Sequence, residues 1–91
     1  MKPLNYAILK HFTKVEEACA DDVIEALKGD YGDFKALKRD SVINALMTAE
    51  ANGLIEETRI DLNKNGQLRV YYYAHEEGAA TINKYIREDR K

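Results

Sequence analysis

The sequence holds one cysteine, one proline and two histidines in 91 residues. A lone cysteine, Cys19, closes no internal disulfide, which excludes a disulfide scaffold and makes a reducing cytoplasm the expected setting. His11 and His75 lie far apart and neither neighbours Cys19, so no metal site is expected. Charge of one sign is lacking too. The chain has 14 Lys plus Arg against 16 Asp plus Glu, a net charge of −2, which excludes a histone-like polycation and an acidic disordered tail. No apolar run approaches the roughly 20 residues of a membrane span. The first residues show no charged segment leading into an apolar segment and a cleavage site, so neither membrane nor signal peptide is expected. There is no Gly-rich phosphate loop, no Ser-His-Asp set and no carboxylate pair with a partner acid. No enzyme activity and no cofactor are expected.

What is present fits one folded domain spanning 1–91, with 45% hydrophobic and 33% charged residues. Pro3 suits the first turn of a helix, where a missing N–H costs nothing. Leu4, Ala7, Ile8, Phe12 and Val15 then follow helical spacing, and Tyr6 and Leu9 widen the apolar face. The pattern fades at Glu16–Glu17, where a turn or short extended piece is expected before Ala20. Asp21 and Asp22 mark a second helix, placed to meet the positive end of its dipole. Gly29 after Lys28 predicts its end. A third helix has Val42, Ala45, Leu46 and Ala49 on its inner side, with Asp33, Asp40 or Ser41 as its cap and Asn52–Gly53 as its stop.

From Leu54 the period becomes two. Leu54 to Leu62 alternates weakly, and Asn63-Lys64-Asn65-Gly66 is hairpin chemistry. Gln67 to Ala74 alternates well, which predicts Leu68, Val70 and Tyr72 inward and Tyr71 and Tyr73 outward. A last helix carries Ala79, Ile82, Tyr85 and Ile86 on one side, and the charged run from Arg87 to Lys91 is expected to fray. The order is helix, helix, helix, hairpin, helix, and so small a hairpin must pack on the helices.

The run Ser41-Val42-Ile43-Asn44-Ala45-Leu46, closing on Gly53-Leu54-Ile55-Glu56, resembles the recognition helix and following strand of winged helix-turn-helix domains. Val70 to Gly78 looks like the return strand of the wing running into a closing helix. Ala74 or His75 stands where the family usually has Thr or Ser, so the usual capping hydroxyl is missing. The resemblance covers about residues 4–86 and is specific for the superfamily of small bacterial and archaeal regulators, not for one protein. It implies an α+β, mostly α fold: a three-helix bundle, a two- to three-stranded β-hairpin wing and a C-terminal helix.

The resemblance also implies a transcriptional regulator that reads double-stranded DNA, with the third helix in the major groove and the wing on phosphates. Arg39, Ser41, Asn44 and Thr48 then face the groove, where Asn can bind adenine through two hydrogen bonds. Lys38 and Arg39 stand at the helix start, beside free backbone N–H groups. Arg59, Lys64 and Arg69 belong to the wing. Residues 35–70 hold six cations against five acids, whereas residues 1–34 hold four against seven, so the charge leans toward the DNA-reading half. Ile43 and Met47 depart from the polar or basic residues usual in such helices, which predicts that they are partly buried.

Related regulators commonly dimerise through their terminal helices, which makes a homodimer the expected state. Tyr6, Leu9, Tyr71, Tyr73, Ile82, Tyr85 and Ile86 are the candidate interface, since Tyr is enriched at such surfaces. Glu16, Glu17, Asp21, Asp22 and Glu25 form an acidic cluster, read as a solvated face that repels DNA or meets a basic partner. His75 is expected to cap the last helix or to pair with Glu76 or Glu77. The alternative is a protein-interaction or adaptor module without DNA binding, since one fold serves both. A basic stripe on the third helix and wing favours the first reading. An uncharged third-helix face beside an exposed apolar patch favours the second.

Overall fold

A computed structural model describes residues 2–86. Its elements are α1 (Leu4–His11), α2 (Ala20–Tyr31), α3 (Arg39–Ala51), β1 (Glu56–Leu62), β2 (Leu68–Tyr73) and α4 (Glu76–Tyr85). Three helices meet around Ile8, Phe12, Val23, Val42 and Leu46, and Ile55 and Tyr72 close that core from the hairpin side. Burying such side chains stabilises by about 1.5–3 kcal/mol each.

Several element ends differ from the sequence reading. Pro3 stands just outside α1, and its carbonyl accepts the Ala7 N–H at 3.0 Å. The helix stops at His11, short of Val15, because Phe12, Thr13 and Lys14 each bond three residues back and tighten the chain. Gly29 does not end α2. Tyr31, two residues later, is buried and donates its hydroxyl to the Lys2 carbonyl, and its ring meets Phe34 edge-on. That anchor outweighs the roughly 1 kcal/mol that glycine costs inside a helix. None of Asp33, Asp40 and Ser41 caps α3. The N-cap is Lys38, without a side-chain bond, because turns at Phe34 and Leu37 carry the chain onward, and Asp40 sits in the first turn.

Other features follow the sequence. Ala18 exchanges both backbone bonds with Tyr72, at 3.0 and 2.9 Å, so the expected extended piece adds a one-residue bridge beside β2. Gly53, at φ 75°, lets its own N–H reach Glu50 and that of Leu54 reach Ala49, which closes α3. In the turn only Gly66 has positive φ, at 78°, and the Asn63 side chain accepts the N–H groups of Asn65 and Gln67, both at 2.9 Å.

β1 and β2 pair antiparallel with a bulge at Thr58. The extra residue shifts the phase of β1. As a result Ile60 and Leu62 share a face with Leu68, Val70 and Tyr72, while Arg59 and Asp61 share the other with Arg69, Tyr71 and Tyr73. The two faces of β2 are those the alternation predicts and Tyr72 is buried as expected, but Leu68 and Tyr71 depart from the inward-outward reading. Leu68 is 60% exposed, because the wing tip extends past the helices. Tyr71 is only 7% exposed, because the Arg59 guanidinium lies 3.8 Å from its ring centroid.

Candidate nucleic-acid interface

Helix α3 buries Val42, Leu46 and Ala49 and turns Asp40, Asn44, Met47, Thr48, Glu50 and Ala51 to solvent. Asn44 and Thr48 are thus open, as expected, and Ser41 is half-buried. With Asn5, Leu9 and Asn52, these three line a groove of about 320 Å³ between α1 and α3. The groove-lining set is uncharged, and the fully exposed positions of α3 add two acids, Asp40 and Glu50, but no cation. Met47, expected to be partly buried, is 55% exposed, while Ile43 is half-buried beside the wing. Met47 borders a small hollow with Ile43, Leu68, Val70 and Tyr72.

Arg39 ties this helix to the wing. Its Nη2 donates to the Leu68 carbonyl at 2.5 Å, and its Nε meets Asp21 Oδ1 at 3.1 Å. The start of α3, the first turn of α2 and the turn end of the wing are therefore one continuous surface. Arg59 sends Nη2 and Nε to Glu17 Oε2 at 2.7 and 3.0 Å, and Nη1 to Asp61 at 3.2 Å. Arg69 grips both oxygens of Asp61, at 2.7 and 3.0 Å. The hydrogen bonds from Arg59 hold the Glu17 carboxyl below the usual carboxylate range, and those from Arg69 do the same for Asp61. Lys38 and Lys64 are exposed, and no ion pair engages either among the described residues.

The pairing of Glu17, Asp21 and Asp61 with the three arginines is what sequence reasoning missed. The acidic cluster does meet basic groups, but they belong to the same chain. Glu17 and Arg59 are 42 positions apart, a separation no periodicity reports. The Asp61–Arg69 pair is legible once the hairpin register is known, since the two face each other across the strands.

The tyrosines and terminal helices are sorted by burial. Tyr71, Ile82 and Ile86 are buried within the chain itself, so they offer no surface to a partner. Tyr73 is half-buried and donates to Glu56 at 3.1 Å. Tyr6 and Tyr85 are exposed and flank a shallow hollow floored by Leu9, Leu54 and Ile82. His75 caps α4, its Nδ1 accepting the Gly78 N–H at 3.1 Å, and so replaces the missing hydroxyl. It neighbours Glu56, at 4.0 Å, instead of pairing with Glu76 or Glu77. Cys19 stands at the N-cap of α2, with its backbone N–H and Sγ both on Asp22 Oδ2, at 3.1 and 3.4 Å. Burial pushes its thiol up, away from a reactive thiolate.

Three helices, a hairpin wing and a closing helix define a winged helix. The fold is similar to that of PadR from Bacillus subtilis in its crystal structure with operator DNA, at 20% sequence identity and a TM-score of 0.70. That match covers 97% of this chain and 49% of the PadR chain, so the present chain spans about half the length of its neighbour. No protein-family model matches the sequence, and no curated protein matches it. Among the described residues no helix is long and apolar enough to cross a membrane.

Proposed function

We propose that the chain is a winged-helix DNA-binding protein, a cytoplasmic transcriptional regulator that acts as a homodimer. The observation that carries this reading is the Arg39 bridge, which joins the start of α3 to the wing. A duplex laid on that surface meets Lys38 and Arg39 at the helix start, Asn44 and Thr48 along the helix, and Lys64 at the wing tip. Ser41 stands at the groove edge, and Arg59 and Arg69 flank the wing. The likeness to a protein crystallised on operator DNA supports the same docking. For the dimer, exposed Tyr6 and Tyr85 are the contacts, with Leu9 beneath them. A chain this small gains stability from burying further surface.

The test is an NMR titration of labelled protein with mixed-sequence duplex DNA, at low salt and again at higher salt. Expected are shifts on Lys38 to Thr48 and on Lys64 to Arg69 that fade as salt rises, since phosphate contacts release counterions. Silence at both salt levels overturns the reading. Sedimentation velocity tests the dimer. A wild type that sediments as a monomer at every concentration removes it, and Tyr85→Ser is expected to weaken it.

One observation favours a second reading, a protein-interaction module. Met47, Ile60, Leu62 and Leu68 are all more than half exposed, on the outer face of α3 and on one face of the wing. Exposed apolar groups gathered near each other mark protein contact surfaces. A titration silent to DNA, together with a partner whose binding is lost in Leu68→Asp, would select this reading.

A further inference from the structure

The arginines of the proposed DNA surface are all occupied. Among the described residues Arg39, Arg59 and Arg69 are the only arginines, and each has a carboxylate partner from its own chain. Resting on the DNA reading above, we propose that Glu17, Asp21 and Asp61 are specificity-determining residues. They hold the phosphate positions of the three guanidinium groups, so that DNA engages these arginines only by displacing carboxylates.

The geometry supports this assignment. Asp61 grips Arg69 through two oxygens at 2.7 and 3.0 Å, the forked arrangement in which arginine also takes a phosphate. Glu17 occupies Nε and Nη2 of Arg59, the same fork, with one oxygen. Asp21 takes Nε of Arg39 and leaves Nη2 on the Leu68 carbonyl, so this guanidinium is aimed by the wing and neutralised by α2. None of these side chains is deeply buried, so the pairs can be exchanged for a competing anion.

The consequence lies in the balance between specific and non-specific binding. Attraction to any duplex depends on how many cations neutralise phosphates. With the arginines held by acids, Lys38 and Lys64 are left to carry that attraction. A site that aligns the duplex with Asn44, Thr48 and the arginines together can repay the displacement, and a random duplex cannot. A purely structural role for the same pairs, fastening the wing to the bundle, makes the opposite forecast. Removing the acids then loosens the wing and gains no affinity.

The experiment compares wild type with Glu17→Gln, Asp21→Asn and Asp61→Asn, singly and combined. Binding to a mixed-sequence duplex is followed by fluorescence anisotropy across a salt series, and the wing amide spectrum shows whether the fold persists. The combined variant is expected to bind on the order of tenfold tighter at low salt, with a salt slope steeper by roughly one for each arginine freed. Each single variant takes a share of that gain, which keeps the test open if the combined variant fails to fold. Wild type that binds while the folded variants bind no tighter and no more steeply overturns this inference and leaves the DNA reading standing. Folded variants and wild type that all fail to bind overturn both.

Discussion

A Cβ placed on Gly78 would overlap the carbonyl oxygen of Leu54. The first turn of α4 thus lies directly on the backbone leaving α3, and the residue must be glycine for that approach. Gly78→Ala is expected to destabilise by about 1–3 kcal/mol, the usual cost of forcing atoms into a packed site. Gly29 is the counterpart. It lies inside α2 with nothing near its missing Cβ. Gly29→Ala is expected to stabilise by about 0.5–1 kcal/mol. Urea unfolding of the two variants checks both signs, and a stable Gly78→Ala protein would show that the approach can relax.

Lys10 links the two ends of the chain. Its Nζ donates to Asn83 Oδ1 at 2.6 Å and to the Ile86 carbonyl at 3.0 Å, at the C-terminal end of α4, where a cation is favoured. The residue is 8% exposed, so truncating its head leaves polar groups poorly solvated. Lys10→Met, which keeps the apolar stem, is expected to cost about 1.5–3 kcal/mol. Amide exchange in α4 should accelerate more than in α2. Uniform acceleration would mean that Lys10 serves the whole core instead of this helix.

The sequence made the helices and hairpin legible where the apolar period was strong and the stop chemistry local. Val42, Leu46 and Ala49 at helical spacing, with Asn52–Gly53 behind them, left little choice for the body and stop of α3, though not for its start, where the N-cap is Lys38 and none of the three expected caps. The ends of α1 and α2 were not legible, because they depend on tertiary anchors such as Tyr31 on the Lys2 carbonyl. Tyr71 was misread because one bulge at Thr58 and one guanidinium decide what covers it, and alternation reports neither. Of the candidate site, Asn44, Thr48, Lys38 and Lys64 are open as expected. The engagement of Arg39, Arg59 and Arg69 by acids was invisible, because charge counting along the chain cannot show which opposite charges the fold brings together.

His11 titrates below an ordinary histidine, first because it is part-buried and second because Lys14 stands near, with Asp22 opposing. For a histidine whose pKa is depressed on folding, the unfolded chain binds the proton first. Stability is therefore complete above the unfolded value of about 6.5 and declines as pH falls below it. His11→Gln is expected to flatten the stability profile between about pH 7 and pH 5, a window set by the same unfolded value. Proton NMR of the imidazole checks the direction. A midpoint at or above the ordinary value refutes it.

Glu17 and Asp61 give a second, more acidic limb. The arginine hydrogen bonds that lower both carboxyls favour the charged form in the folded chain only. A carboxyl depressed on folding contributes stability that is whole above its unfolded value, about 4, and is lost as pH falls through the lower folded value. The wing, held to the bundle by Glu17 on Arg59, should therefore loosen in acid before the helical core does. Carbon-13 titration of the two carboxyls is expected to give midpoints below the ordinary range, and amide exchange in β1 and β2 should quicken over the same interval. Glu17→Gln should leave the Asp61 midpoint low, because Arg69 still holds that carboxylate through two hydrogen bonds. Asp61→Asn should leave the Glu17 midpoint low for the parallel reason, since Arg59 keeps both of its bonds to Glu17. Ordinary midpoints for both carboxyls in the wild type would show that the pairs are not formed in solution, and would remove the anchoring of the wing together with the shielding of its arginines.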